Sequence, residues 1–83
     1  MRIYTKNLNK TAESIVSSIT NGTKGFKISK AAYDWLYMNA NSLSSLVEEV
    51  LSDKLGGEYY VVIERYKDTD GDYSMHVDYN EVK

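Results

Sequence analysis

The chain contains no cysteine, so no disulfide can constrain the fold and no thiolate can hold a metal. It has no proline either, and no low-complexity tract or internal repeat, so no proline-rich linker divides it. Nowhere do eighteen apolar residues follow one another, which excludes a membrane-spanning helix. The opening Met1-Arg2-Ile3-Tyr4-Thr5-Lys6 lacks the apolar run of a signal peptide, and a cytoplasmic location is expected. The sequons at Asn9 and Asn21 then read as chance matches. Five glycines build neither a phosphate-cradling loop nor a dinucleotide fingerprint.

What is present is a globular composition, 42% hydrophobic and 27% charged, in 83 residues. That length makes one domain, residues 1–83. A chain of this size buries only about 60–65% of its unfolded surface, so it relies on packing, with a homodimer as one route to more. Net charge is −2 but unevenly spread. Residues 1–30 carry +5, residues 31–57 carry −3 and residues 58–83 carry −4. Such polarity marks either two interaction faces or halves that pair with each other.

The apolar periodicity sketches the elements. Arg2 to Lys6 alternates as a short strand. Ala12, Ile15, Val16 and Ile19 fall at helical spacing, with Asn9 or Thr11 to cap the start and Asn21-Gly22 to permit a left-handed exit. Thr23 to Ile28 alternates again, with Phe26 and Ile28 on one face. Ser29 is a helix N-cap, followed by a stripe at Ala32, Tyr33, Leu36, Tyr37 and Ala40 with Trp35 on its flank. Asn39-Ala40-Asn41-Ser42 interrupts that stripe, because Asn and Ser compete for backbone hydrogen bonds. Residues 30–55 then form one bent helix or two; two are expected, the second through Leu43, Leu46, Val47, Val50 and Leu51, starting at Ser42 or Ser45 and ending at Gly56-Gly57.

The last segment is the most informative. Tyr59 to Lys67 and Tyr73 to Tyr79 are β-branched and aromatic runs around Asp68-Thr69-Asp70-Gly71-Asp72. A two-residue loop would set Ile63 against Asp78. A three-residue loop at Thr69-Asp70-Gly71 sets Ile63 against Val77, Val61 against Tyr79 and Arg65 against Met75, gathering the apolar residues on one face. It also suits the turn chemistry, with Asp at the start of a type I turn and Gly in the left-handed position. The expected architecture is α+β: a small two-layer domain in the order β-α-β-α-α-β-β, mainly antiparallel, with helices on one face and a C-terminal β-hairpin.

Chemistry-bearing constellations are sparse. His76, the only histidine, faces Glu64 across the hairpin and lies two residues from Asp78. That arrangement could supply a general base or hold a metal, but a cross-strand His–Glu pair is also ordinary on a wet sheet face. The aspartate-rich turn begins like an EF-hand loop, yet places Gly fourth rather than sixth and Tyr79 at the twelfth position. Turn chemistry explains it better. No catalytic residue, metal or cofactor is expected, and the chain reads as a non-enzyme.

The expected function is protein interaction. The outer hairpin face and turn carry Tyr60, Glu64, Tyr66, Asp68, Asp70, Asp72, His76 and Asp78. Tyrosines supply contact area with a polar tip, and carboxylates steer toward a basic partner surface. Small cysteine-free chains rich in Asn, Ser, Tyr and Lys are common products of phages and other mobile elements. An inhibitor of a host defence or nucleic-acid-processing enzyme, of the anti-CRISPR kind, is the specific expectation. A second reading arises from Phe26-Lys27-Ile28-Ser29, then Leu36 and Ala40, then Ser42 through Leu51. Residues 23–55 with this pattern resemble the ribbon-helix-helix DNA-binding family. That resemblance implies a dimeric transcriptional regulator whose paired strands enter the major groove through Thr23, Gly25 and Lys27.

Overall fold

The computed structural model describes all of residues 1–83. Its elements are α1 (Leu8–Thr20), β1 (Gly25–Ile28), α2 (Lys30–Leu55), β2 (Tyr59–Lys67) and β3 (Tyr73–Glu81). The strands form one antiparallel sheet in the order β1-β3-β2, and the two helices pack on one side of it. This is a small α+β domain. No helix is long and apolar enough to cross a membrane.

α1 forms where the apolar spacing demands it: Ala12, Ile15, Val16 and Ile19 are all buried. Its N-cap is Asn7, not Asn9 or Thr11, and the Asn7 Oδ1 accepts the Lys10 N–H at 3.0 Å. The cap thus lies two residues before Asn9 and four before Thr11, and Leu8 in the added turn packs against the core. Thr11 is therefore inside the helix and fully buried, and it has another task. Its hydroxyl accepts the Tyr4 N–H at 2.8 Å and donates to the Tyr4 carbonyl at 3.0 Å. Arg2 N–H likewise goes to Ser14 Oγ. The strand expected at Arg2–Lys6 is absent: the Arg2 N–H and both backbone groups of Tyr4 bond to α1 side chains instead of a sheet neighbour.

Residues 30–55 are one helix, where two were expected. The Asn/Ser segment does not break it. Asn39 Nδ2 donates back to the Trp35 carbonyl at 2.8 Å and Ser44 Oγ to the Ala40 carbonyl at 2.9 Å, so their polar groups are satisfied along the helix. Ser29 caps the start by accepting the Ala32 N–H, and Gly56, at φ +75°, ends the helix. One buried stripe runs through Ala32, Leu36, Leu43, Val47 and Leu51. Tyr37, expected on that stripe, lies a helical step of about 100° from Leu36 and is 72% exposed.

The hairpin has the register that the apolar pattern favours: Ile63 faces Val77, Val61 faces Tyr79, and Arg65 faces Met75. Gly71 N–H donates to the Asp68 carbonyl and Asp68 N–H to the Asp72 carbonyl, closing a three-residue loop. Gly71 sits at φ +87°, a backbone state that suits glycine. The inner residues Val61, Met75 and Val77 join the helix stripes in a single core. β1 adds Phe26 opposite Met75 and Ile28 opposite Tyr73, on the same face.

Candidate functional site

Because both helices lie on the inner face, the other face of the sheet is uncovered. Pleat alternation sends Tyr60, Val62, Glu64 and Tyr66 of β2 to that side, with Ser74, His76, Asp78 and Asn80 of β3 and Lys27 of β1. Tyr60 is 61% exposed and Tyr66 48%. Gly25 stands opposite His76, and a Cβ there would lie 3.9 Å from the imidazole Cδ2. The missing side chain leaves a shallow depression of about 460 Å³, bordered by Lys27, Tyr66, Ser74 and His76.

The structure brings most of the expected site residues together. Glu64 faces His76, and the Tyr66 hydroxyl donates to the Glu64 carboxylate. That hydrogen bond, followed by desolvation and nearby negative charge, raises the Tyr66 phenol pKa above its ordinary value. Asp78 is less free than the sequence suggests. Lys24 Nζ lies 3.5 Å from it, and His76 Nδ1 3.6 Å away, beyond good hydrogen-bonding distance. Lys24 also sits 5.5 Å from the centre of the Tyr79 ring. The basic N-terminal block thus meets the acidic hairpin at this pair, while Lys30 is engaged by Asp34 at 2.8 Å on the other layer.

The turn aspartates divide by role. Asp68 Oδ1 accepts the N–H groups of both Asp70 and Asp72 at 2.9 Å, so its carboxylate builds the loop. Asp70 and Asp72 are exposed at the tip and point their charge outward without a cationic partner. The negative pole of the surface is therefore the tip, and the centre of the face is mixed in sign.

A phenol held by a carboxylate gives a direct check. Its raised pKa means that the protonated form is favoured in the fold, an advantage present below about pH 10 and lost as pH rises through the higher folded value. The ring-carbon NMR titration of Tyr66 should move back toward the ordinary tyrosine range in Glu64→Gln. An unchanged titration would show that the carboxylate does not hold this hydroxyl.

One cluster escaped the sequence reading. The Arg65 guanidinium lies 4.1 Å from the Tyr33 ring centre and 4.9 Å from that of Tyr37, and donates to the Tyr33 carbonyl at 3.0 Å. Tyr33 in turn packs on Tyr73, with ring centres 4.8 Å apart. The available signal was an arginine at an inward register position, which needs aromatic faces and a carbonyl to lie there.

The layout implied by the ribbon-helix-helix resemblance is not the one observed. That layout has two helices after the strand, whereas here a single helix follows β1, and β1 pairs with β3 on one side. Comparisons with protein-family models, curated proteins and solved structures found no match to this chain.

Proposed function

We propose that this chain is a non-catalytic docking domain that presents its uncovered sheet face and hairpin tip to a protein with a basic surface. The supporting observation is the placement of two exposed tyrosines, Tyr60 and Tyr66, on one strand of a face that no helix covers. Tyrosine and arginine enrichment distinguishes interface cores more than bulk hydrophobicity does. Asp70 and Asp72 at the tip supply the long-range attraction that orients an encounter, and Tyr60, Tyr66 and Val62 supply the area that desolvates afterwards. The mixed centre, with Lys24, Lys27, Glu64, His76 and Asp78, serves register rather than affinity.

The finer reading is an inhibitor from a phage or other mobile element, directed at a host defence or nucleic-acid-processing enzyme and anti-CRISPR-like in its role. Enzymes that handle nucleic acid carry basic surfaces, which an acidic hairpin tip complements.

The test is affinity capture from bacterial lysate with wild-type bait and with a bait carrying Asp70→Lys and Asp72→Lys. Neither side chain is needed for the turn, so the variant should keep its fold. A partner held by wild type at low salt should be depleted with the reversed bait and released as salt rises. Equal recovery with both baits would sink the acidic-tip component.

A further inference from the structure

β2 is an edge strand: in the order β1-β3-β2 its second side pairs with nothing in the chain. The Asp68 N–H donates to the Asp72 carbonyl and the Val82 N–H to the Glu58 carbonyl across the hairpin. By antiparallel alternation, the even-numbered residues of β2 bond to β3. The odd-numbered Tyr59, Val61, Ile63, Arg65 and Lys67 thus turn their N–H and C=O groups to the open edge. Side-chain cover is minimal, since only the Val61 N–H has a partner, Glu48 Oε2 at 3.0 Å. Nine regular residues without proline or a bulge are the kind of edge that accepts another strand.

We propose that the occupant is a second copy of this chain, its β2 pairing antiparallel with the first about a two-fold axis at Val62. Charge and shape select this register. Centring on Glu64 or Arg65 sets each against its own copy. Centring on Ile63 sets Glu58 against Asp68, and centring on Val61 sets Glu58 against Glu64. Centring on Val62 places no like charges opposite each other. It sets Val61 against Ile63, Tyr59 against Arg65, Tyr60 against Glu64 and Glu58 against Tyr66. These pairs repeat chemistry already made within one chain, where Arg65 stacks on Tyr33 and Tyr66 bonds to Glu64. The Val61 N–H passes from Glu48 to the carbonyl of Ile63 in the second copy. Glu48 is then released beside the second copy's Arg65, which lies opposite Tyr59. The result is a six-stranded sheet, β1-β3-β2-β2-β3-β1, whose bare faces join. The pairing uses the edge and not the face, so it can fail while the docking reading stands.

The absence of cysteine makes the test clean, because a single introduced thiol can form only an intermolecular disulfide. At the axis Val62 meets its own copy as a non-hydrogen-bonded pair, with Cα atoms about 4.5 Å apart, within the range a disulfide spans. Val62→Cys should therefore cross-link to itself under mild oxidation. Glu64→Cys should not, because its copies are four residues out of register, about 13 Å. Sedimentation of the wild-type chain at high concentration should give twice the 9.5 kDa of one copy. A wild-type mass that stays at one copy, a Val62→Cys variant that does not cross-link, or equal cross-linking by Glu64→Cys would each overturn the proposal.

Discussion

Leu43→Ala should destabilise the protein by about 2–5 kcal/mol, lowering Tm by about 8 °C or more. Leu43 is fully buried, at 0% exposure, and belongs to the one core cluster that joins α1, α2 and the sheet. Truncation removes apolar area from that cluster and leaves a cavity that a two-layer domain can close only by moving a helix. The domain has a small total stability to draw on, since only 13 of its residues are buried, and each core side chain is a large share of the total. Met38→Ala on the same helix is the comparison, because Met38 is 79% exposed and its loss should lie within about 0.5 kcal/mol of zero. Urea melts of the two variants measure both. Similar losses would mean that the buried side of α2 is wrongly assigned.

Ser42→Pro should cost about 3 kcal/mol or more. Ser42 is exposed, so no packing is lost. The cost is in the backbone: proline removes the Ser42 N–H from the helical ladder, and its ring collides with the carbonyl four residues earlier, at Met38. Two helices meeting at Ser42 would instead accept proline at the first turn of the second, where the N–H has no partner anyway. Ser42→Ala should be neutral or slightly stabilising, since alanine is the better helix former. A Ser42→Pro variant that melts with wild type would establish a helix break there.

That contrast also shows where sequence reasoning succeeded and where it fell short. The hairpin register was readable because a one-residue slip moves every side chain to the other face, so the apolar pattern of Val61, Ile63, Met75 and Val77 admits one solution. The continuity of α2 was missed, because the expected break rested on propensity and not on phase. Leu36 and Leu43 are seven residues apart, two helical turns, so the two stripes are one stripe; Asn41 and Ser42 fall off it, and Asn39 sits half-buried on its flank with its amide bonded to the Trp35 carbonyl. Their propensity penalties are fractions of a kcal/mol each, too small to outweigh packing along the whole helix. The N-terminal segment was not readable in this way. Its alternation resembles a strand, but its hydrogen-bond partners are Thr11 and Ser14, and nothing local announces side chains that replace a strand.

For the candidate site, the face assignment of Tyr60, Glu64, Tyr66, His76 and Asp78 followed from register alone. The engagement of Asp78 by Lys24 did not, because it depends on where the chain enters β1 and on the pairing of β1 with β3. The Arg65 cluster required knowing that α2 crosses beneath β2. Long-range pairings of this kind depend on topology, which period and propensity leave open.

The docking proposal makes the bare sheet face the binding surface, with Tyr60 and Tyr66 as its anchors. Titration calorimetry of the captured partner against wild type and against a Tyr60→Ala/Tyr66→Ala variant tests it directly. The variant's melt should first be shown to match wild type. Affinity should fall at least about tenfold, or about 1.4 kcal/mol, because aromatic anchors carry a disproportionate share of binding energy. An unchanged Kd in the folded double variant would contradict it.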